Sequence, residues 1–169
     1  FGGGTPSRLE PRAIDQLLDR IRSDRRVSLG TEITLEANPD DVSRTAAAAW
    51  RGAGVNRLSL GAQSFSVNAL RWMHRTHDAS AIDRAVAAAR GGGIRNLSLD
   101  LIFALPAELE RDFECDVRRL LALAPDHVSL YGLTVESATP LGRWVERGVA
   151  VERSEEGYEE EFLSAHALL

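Results

Sequence analysis

Glu36, Gln63 and Asp100 are the residues of this sequence best placed to hold a polar ligand. Each falls on the polar phase of an alternating apolar–polar run, near the expected C-terminal end of a strand, where α/β folds place their ligand sites. Carboxylates and an amide gathered there could hold an ammonium, a ribose diol or an adenine edge. Ahead of them stands Gly2-Gly3-Gly4-Thr5-Pro6, whose backbone can approach a ligand closely and offer N–H groups. It is not a P-loop, because no Gly-Lys-Ser/Thr follows, and it is not the dinucleotide fingerprint G-x-G-x-x-G. Taken alone it reads as a tight turn. Arg75, within Met73-His74-Arg75-Thr76-His77-Asp78, could clamp a carboxylate. His74, His77 and Asp78 do not have the spacing of a zinc helix and no cysteine lies nearby, so no metal is expected there. Cys115 is expected as a small core residue of a helix. His127 and His166 read as structural or exposed, and the acidic stretch from Glu152 to Glu161 as the solvated face of a helix.

The elements that must position these residues alternate between strand and helix. Pro11 suits the first position of a helix with an apolar stripe of Ala13, Leu17, Leu18 and Ile21. Strands are predicted at Glu32–Ala37, Arg57–Gly61, Asn96–Phe103 and His127–Leu133. Helices are predicted from the Asn38-Pro39-Asp40-Asp41 loop to about Gly52, over Ala79–Arg90 and over Arg111–Ala122, with a short segment around Asn68–Met73. A Pro140-started helix and an acidic amphipathic helix from Ser154 follow. This alternation predicts a parallel sheet with right-handed crossovers, either doubly wound or barrel-like.

The strand pattern separates the two architectures. Strands buried on both faces read as continuous apolar runs. Here Leu35, Leu58 and Leu60, Leu97, Leu99 and Leu101, and Val128 and Leu130 alternate with Glu36, Ser59, Ser98, Asp100, Ser129 and Tyr131. The apolar phase should pack on helices. The polar phase would be costly to bury under a second helix layer and suits a wet or ligand-filled lumen. A wide or incomplete (β/α) barrel fits better than a closed barrel filled with branched side chains.

Composition narrows the function classes. The 169 residues suffice for one domain with a core, and 44% hydrophobic with 27% charged residues is ordinary for a globular protein. The net charge of -5 argues against nucleic-acid binding. No apolar run approaches the roughly 20 residues of a transmembrane helix. A single cysteine rules out a disulfide within the chain and fits a cytoplasmic location. Both ends interrupt an element: a strand is expected before the glycine run, and Tyr158, Phe162, Ala165 and Leu169 keep helical spacing to the last residue. An internal piece of a longer protein is therefore expected.

Read in order, Phe1-Gly2-Gly3-Gly4-Thr5-Pro6-Ser7, Glu32-Ile33-Thr34-Leu35-Glu36-Ala37-Asn38-Pro39, Gly54 to Phe65, Arg75-Thr76-His77, Asp100-Leu101-Ile102 with Leu105-Pro106, and Pro125 to Tyr131 resemble one family. It is the oxygen-independent coproporphyrinogen III oxidase family of radical S-adenosylmethionine (SAM) proteins. The stretch Ser129-Leu130-Tyr131-Gly132-Leu133-Thr134-Val135-Glu136 resembles its heme-chaperone branch more than the oxidase. The resemblance implies a partial TIM-like (β/α) barrel truncated at its N-terminal strands over residues 1–137, with residues 138–169 starting a C-terminal helical extension. It implies SAM and a 4Fe–4S cluster as cofactors, the cluster held by a CxxxCxxC loop that this chain lacks. It also implies cofactor-binding roles for Gly3, Gly4, Thr5, Glu36, Gln63, Arg75 and Asp100, with no metal ligand among them.

Heme or a porphyrin is the implied substrate and recipient hemoproteins are the implied partners of a heme chaperone. The alternatives are the oxidase, which decarboxylates two propionates to vinyls, and an inactive piece without its cluster. No cluster-dependent activity is expected of the chain by itself. Two motifs depart from the family pattern. Ala104-Leu105-Pro106-Ala107-Glu108-Leu109 replaces G-L-P-G-Q-T, which points to an altered loop after that strand, and Glu136-Ser137-Ala138-Thr139 replaces E-P-G-T.

Overall fold

The computed structural model describes residues 1–169. Four strands, β1 (Thr34–Ala37), β2 (Arg57–Gln63), β3 (Asn96–Phe103) and β4 (His127–Gly132), form one parallel sheet in the order β1-β2-β3-β4. Before, between and after them run α1 (Pro11–Asp24), α2 (Arg44–Ala53), α3 (Val67–Trp72), α4 (Ala79–Gly91), α5 (Phe113–Ala122), α6 (Pro140–Glu146) and α7 (Glu155–Leu168). The edge of β1 is continued by Phe1, whose amino group donates to Thr34 O at 2.6 Å and whose carbonyl accepts from Glu36 N at 3.0 Å. The glycine run therefore leaves the sheet directly beside β1.

Local chemistry sets the helix boundaries. Ser43, Ser66, Asp78, Asp112, Thr139 and Ser154 each cap a helix by accepting a backbone N–H three residues on. Asp78 thus spends its carboxylate on the first turn of α4. Helix α2 ends at Gly54, in the left-handed conformation at φ 115°.

The apolar strand phase faces the helices as expected. Leu35, Leu58, Leu60, Leu97, Leu99 and Leu101 are buried against Ala47 and Trp50 of α2, Ile82 and Val86 of α4, and Val117 and Leu120 of α5. Three expectations fail. In α1 the buried positions are Ile14 and Leu18, while Leu17 and Ile21 are 46% and 43% exposed. At 100° per residue these two lie to one side of the Ile14–Leu18 line, so a four-residue stripe was too broad for a helix that buries so narrow a face. Cys115 is exposed, because it sits in the first turn of α5 on the side away from Val117 and Leu120. The acidic stretch is not wholly solvated, since Glu161 is 8% exposed and ion-paired.

Burial of the leucine phase predicts unequal costs along the chain. Leu99→Ala should lower unfolding free energy by about 2–5 kcal/mol through lost burial and a cavity, whereas Leu17→Ala should change it by about 0.5 kcal/mol or less. Urea unfolding of the two variants checks this; equal losses would contradict the assigned core.

Candidate functional site

The polar strand phase opens on the opposite face of the sheet. At its lower end Ser98, fully buried, lies 2.9 Å from His127 Nδ1 and 3.4 Å from Ser129 Oγ. Above it, Ser59 Oγ donates to Asp100, with its oxygens at 3.1 and 3.3 Å. Higher still, at the C-terminal strand ends, lies a recess of about 150 Å³ lined by Gly4, Thr5, Glu36, Asn38, Ser59, Gly61, Gln63, Arg75 and Asp100. Six of the seven expected site residues thus share one recess. Gly3 is absent from its lining.

The glycine run is shaped for this position. Gly3 and Gly4 have φ of 81° and 70°, where a side chain is strained. A Cβ on Gly2 would stand 2.5 Å from Glu36 Oε1, so the run passes close against the carboxylate. Behind the recess, Ser7 Oγ donates to Asp41 Oδ2 at 2.7 Å and accepts from Asn38 N at 3.2 Å. Thr76 Oγ1 donates to Asp40 Oδ2 at 2.5 Å. His77 is buried, and its Nε2–H donates to Ala62 O at 3.2 Å. That bond pins the Arg75 segment to the end of β2, and burial holds the imidazole pKa below its ordinary value. His74, His77 and Asp78 do not converge, and no group of three potential metal ligands exists.

Gln63 reaches the recess by a route that strand alternation alone does not show. Strand β2 carries one extra residue between Leu60 and Gln63, so Gln63 rather than Ala62 pairs with Leu101. Gln63 itself has φ 66°. Sequence reasoning ended this strand at Gly61 and left Ser59, Asn38 and Gly61 out of the site. The phase of Ser59 was a usable signal for it.

The electrostatics favour a zwitterionic ligand. Burial raises the Asp100 pKa, and the Glu36 carboxylate adds to the rise. Two carboxylates facing one recess invite a cation. Arg75 forms no ion pair, and burial lowers its pKa. A guanidinium without an ion-pair partner and two carboxylates on one recess suit a group with both an ammonium and a carboxylate. The volume lies below the roughly 300–1,000 Å³ of a pocket that swallows a whole ligand, so it suits one end of a larger molecule. A wider concavity of about 850 Å³, lined by residues 22–31 with Ile33, Gly54 and Asn56, lies at the N-terminal strand ends, away from these groups.

A family profile described as the Radical SAM superfamily matches residues 1–120. The chain belongs to the radical SAM superfamily. It is 40% identical over 142 residues to the heme chaperone HemW of Escherichia coli, covering 84% of this chain and 38% of that protein. It is 39% identical over 148 residues to mouse radical S-adenosyl methionine domain-containing protein 1, mitochondrial, covering 88% of this chain and 34% of that protein. It superimposes on the E. coli radical SAM enzyme coproporphyrinogen III oxidase, HemN, with a TM-score of 0.84 at 26% identity, covering 99% of this chain and 38% of that one. The fold is accordingly the parallel α/β arrangement of the radical SAM barrel, and the chain spans little more than a third of these relatives. No helix is long and apolar enough to cross a membrane.

The two cofactors of a radical SAM protein fare differently here. The recess has the donor set for the aminocarboxylate end of SAM. A 4Fe–4S cluster needs several thiolates, and the sole cysteine lies exposed on α5, so these residues do not fit the cluster.

The raised Asp100 pKa carries a sign. Its ordinary value is 3.8. Below that pH both folded and unfolded states hold the proton; as pH rises, the unfolded chain ionises first and stability is lost. Asp100→Asn should therefore raise the melting temperature at pH 7, and the gain should shrink toward pH 4. A variant less stable than the parent at pH 7 would contradict the assigned environment.

Proposed function

We propose that this chain forms the SAM-binding part of a heme chaperone, a protein that binds heme or a related porphyrin and passes it to hemoproteins in the cytoplasm. The convergence of Glu36, Asp100 and Arg75 on one recess beside Gly4 and Thr5 carries the SAM-binding part of the reading, and the similarity to HemW supports the chaperone part. In this reading residues 1–137 are the partial barrel, and residues 138–169 begin a helical extension. Glu36 and Asp100 receive the methionyl ammonium, Arg75 receives its carboxylate, and Gln63, Thr5 and the Gly3-Gly4 backbone complete the cradle. SAM supplies a sulfonium whose S–C5′ bond is the reactive one, and the hard chemistry belongs to the cofactors. The chain's own residues orient the amino-acid end and keep its charges paired. The cluster's cysteines come from outside these 169 residues.

The 40% identity to HemW over 142 residues supports the chaperone reading. The oxidase reading retains support from the shared fold, and one experiment separates the two. The complete polypeptide that carries this chain, reconstituted anaerobically, is mixed with heme and, separately, with coproporphyrinogen III. The chaperone reading predicts heme binding with no vinyl product; accumulation of vinyl product would overturn it.

Calorimetric titration with SAM tests the pocket in the same polypeptide. Arg75→Ala should weaken binding by about tenfold or more, the scale of a lost charge-assisted hydrogen bond. Unchanged affinity would remove Arg75 from the site. The 169-residue chain alone should yield no stoichiometric cluster when reconstituted with iron and sulfide, and a full cluster absorption spectrum would refute that.

A further inference from the structure

Two turns at the C-terminal strand ends run through left-handed backbone without glycine: Gln63, the last residue of β2, at φ 66°, and Ala104, just after β3, at φ 58°. Such residues persist only where their surroundings hold them. Here the surroundings are a cluster of four charged groups outside the recess, three of them largely buried and the fourth, Arg153, at its partly exposed edge. Asp116 of α5, 3% exposed, accepts from Ser64 Oγ and, at 2.9 Å, from Phe65 N, the two residues that follow Gln63. Ser64 Oγ in turn accepts from Ser66 N at 3.0 Å. Arg111 lies 3.8 Å from Asp116 and donates to Ile102 O at 2.6 Å and to Glu161 Oε2 at 2.9 Å. The same Glu161 oxygen accepts from Ala104 N at 2.7 Å, and Arg153 lies 3.4 Å from its other oxygen. Two arginines face two carboxylates, and the Arg111 and Asp116 side chains are only 3% and 4% exposed.

A stability role alone would not need this placement. The carboxylate of Asp116 grips the residues that make Gln63 turn, and the Gln63 side chain lines the recess. A Cβ on Gly61 would stand 2.7 Å from Gln63 Nε2, so the amide also lies close over the strand. We propose that Asp116 is a positioning residue that fixes Gln63 in the ligand recess through Ser64 and Phe65, with Arg111 bridging Asp116 to Glu161 and so tying α7 to the site. The ligand arm of the test rests on the SAM reading above; the positioning arm does not.

The test uses the complete polypeptide, 15N-labelled at glutamine, with the Gln63 side-chain amide signal assigned by its loss in Gln63→Glu. Asp116→Asn, and Ser64→Ala as the milder variant should the first fail to fold, should turn a single dispersed Gln63 signal into an averaged, water-like one. Both should weaken SAM binding by about tenfold, the scale on which outer residues act when they stop fixing a ligand-contacting group. Val117→Ala, a core change on the same helix, should lower stability while leaving the Gln63 signal and the affinity in place. A Gln63 signal unchanged in Ser64→Ala, or displaced equally by Val117→Ala, overturns the proposal. Absence of SAM binding in the parent protein sinks the SAM reading alone, because the Gln63 signal still decides the positioning.

Discussion

A carboxylate on the inner face of a parallel sheet must be given partners or water. Asp100 sits in the middle of β3, flanked by leucines that bury the other face, and burial pushes its pKa up. A second helix layer over that face would leave Asp100, Ser59 and Ser98 with too few partners. The sheet can instead curve around a polar lumen, with hydroxyls pairing the lower residues and an open recess at the upper strand ends. The glycine run, the Arg75 segment and the bulge in β2 are all arranged around that recess. Helices on one face and a polar hollow on the other follow from this one constraint.

Much of this was legible in the residues. The period-2 alternation of β3 gave its bounds, Asn96–Phe103, and placed Asp100 on the lumen side. Glu36 and Asp100 were found by phase alone. Gln63 was found for a simpler reason than the one that holds. Alternation carried it to the right face, but an inserted residue and a left-handed φ bring it there. Gly61 inside the bulge was a usable signal for it, but the left-handed backbone of Gln63 and Ala104 carries no glycine and leaves no composition signal.

The failures share a physical cause. Glu161 reads as one more acid in Glu159-Glu160-Glu161, and nothing local distinguishes it from its neighbours. Two of its three partners, Arg111 and Ala104, lie 50 and 57 residues away in sequence. Buried ion clusters of this kind are tertiary facts, and periodicity does not reach them. Leu17 and Ile21 failed the other way, because a helix can carry more apolar residues than its partner surface covers. Cys115 shows the same limit: its residue type favours the core, but its place in the first turn of α5 turns it outward.

Both kinds of information meet at the recess. Residue types there ask for a zwitterion, the volume asks for one end of a larger ligand, and membership of the radical SAM superfamily offers a molecule with such an end. The most direct test is a crystal structure of the complete polypeptide with SAM bound. The account predicts density for the methionyl group between Gly4-Thr5 and Asp100, its carboxylate at Arg75 and its ammonium at Glu36. A methionyl group seated elsewhere, for example in the wider concavity along residues 22–31 at the opposite strand ends, would contradict it.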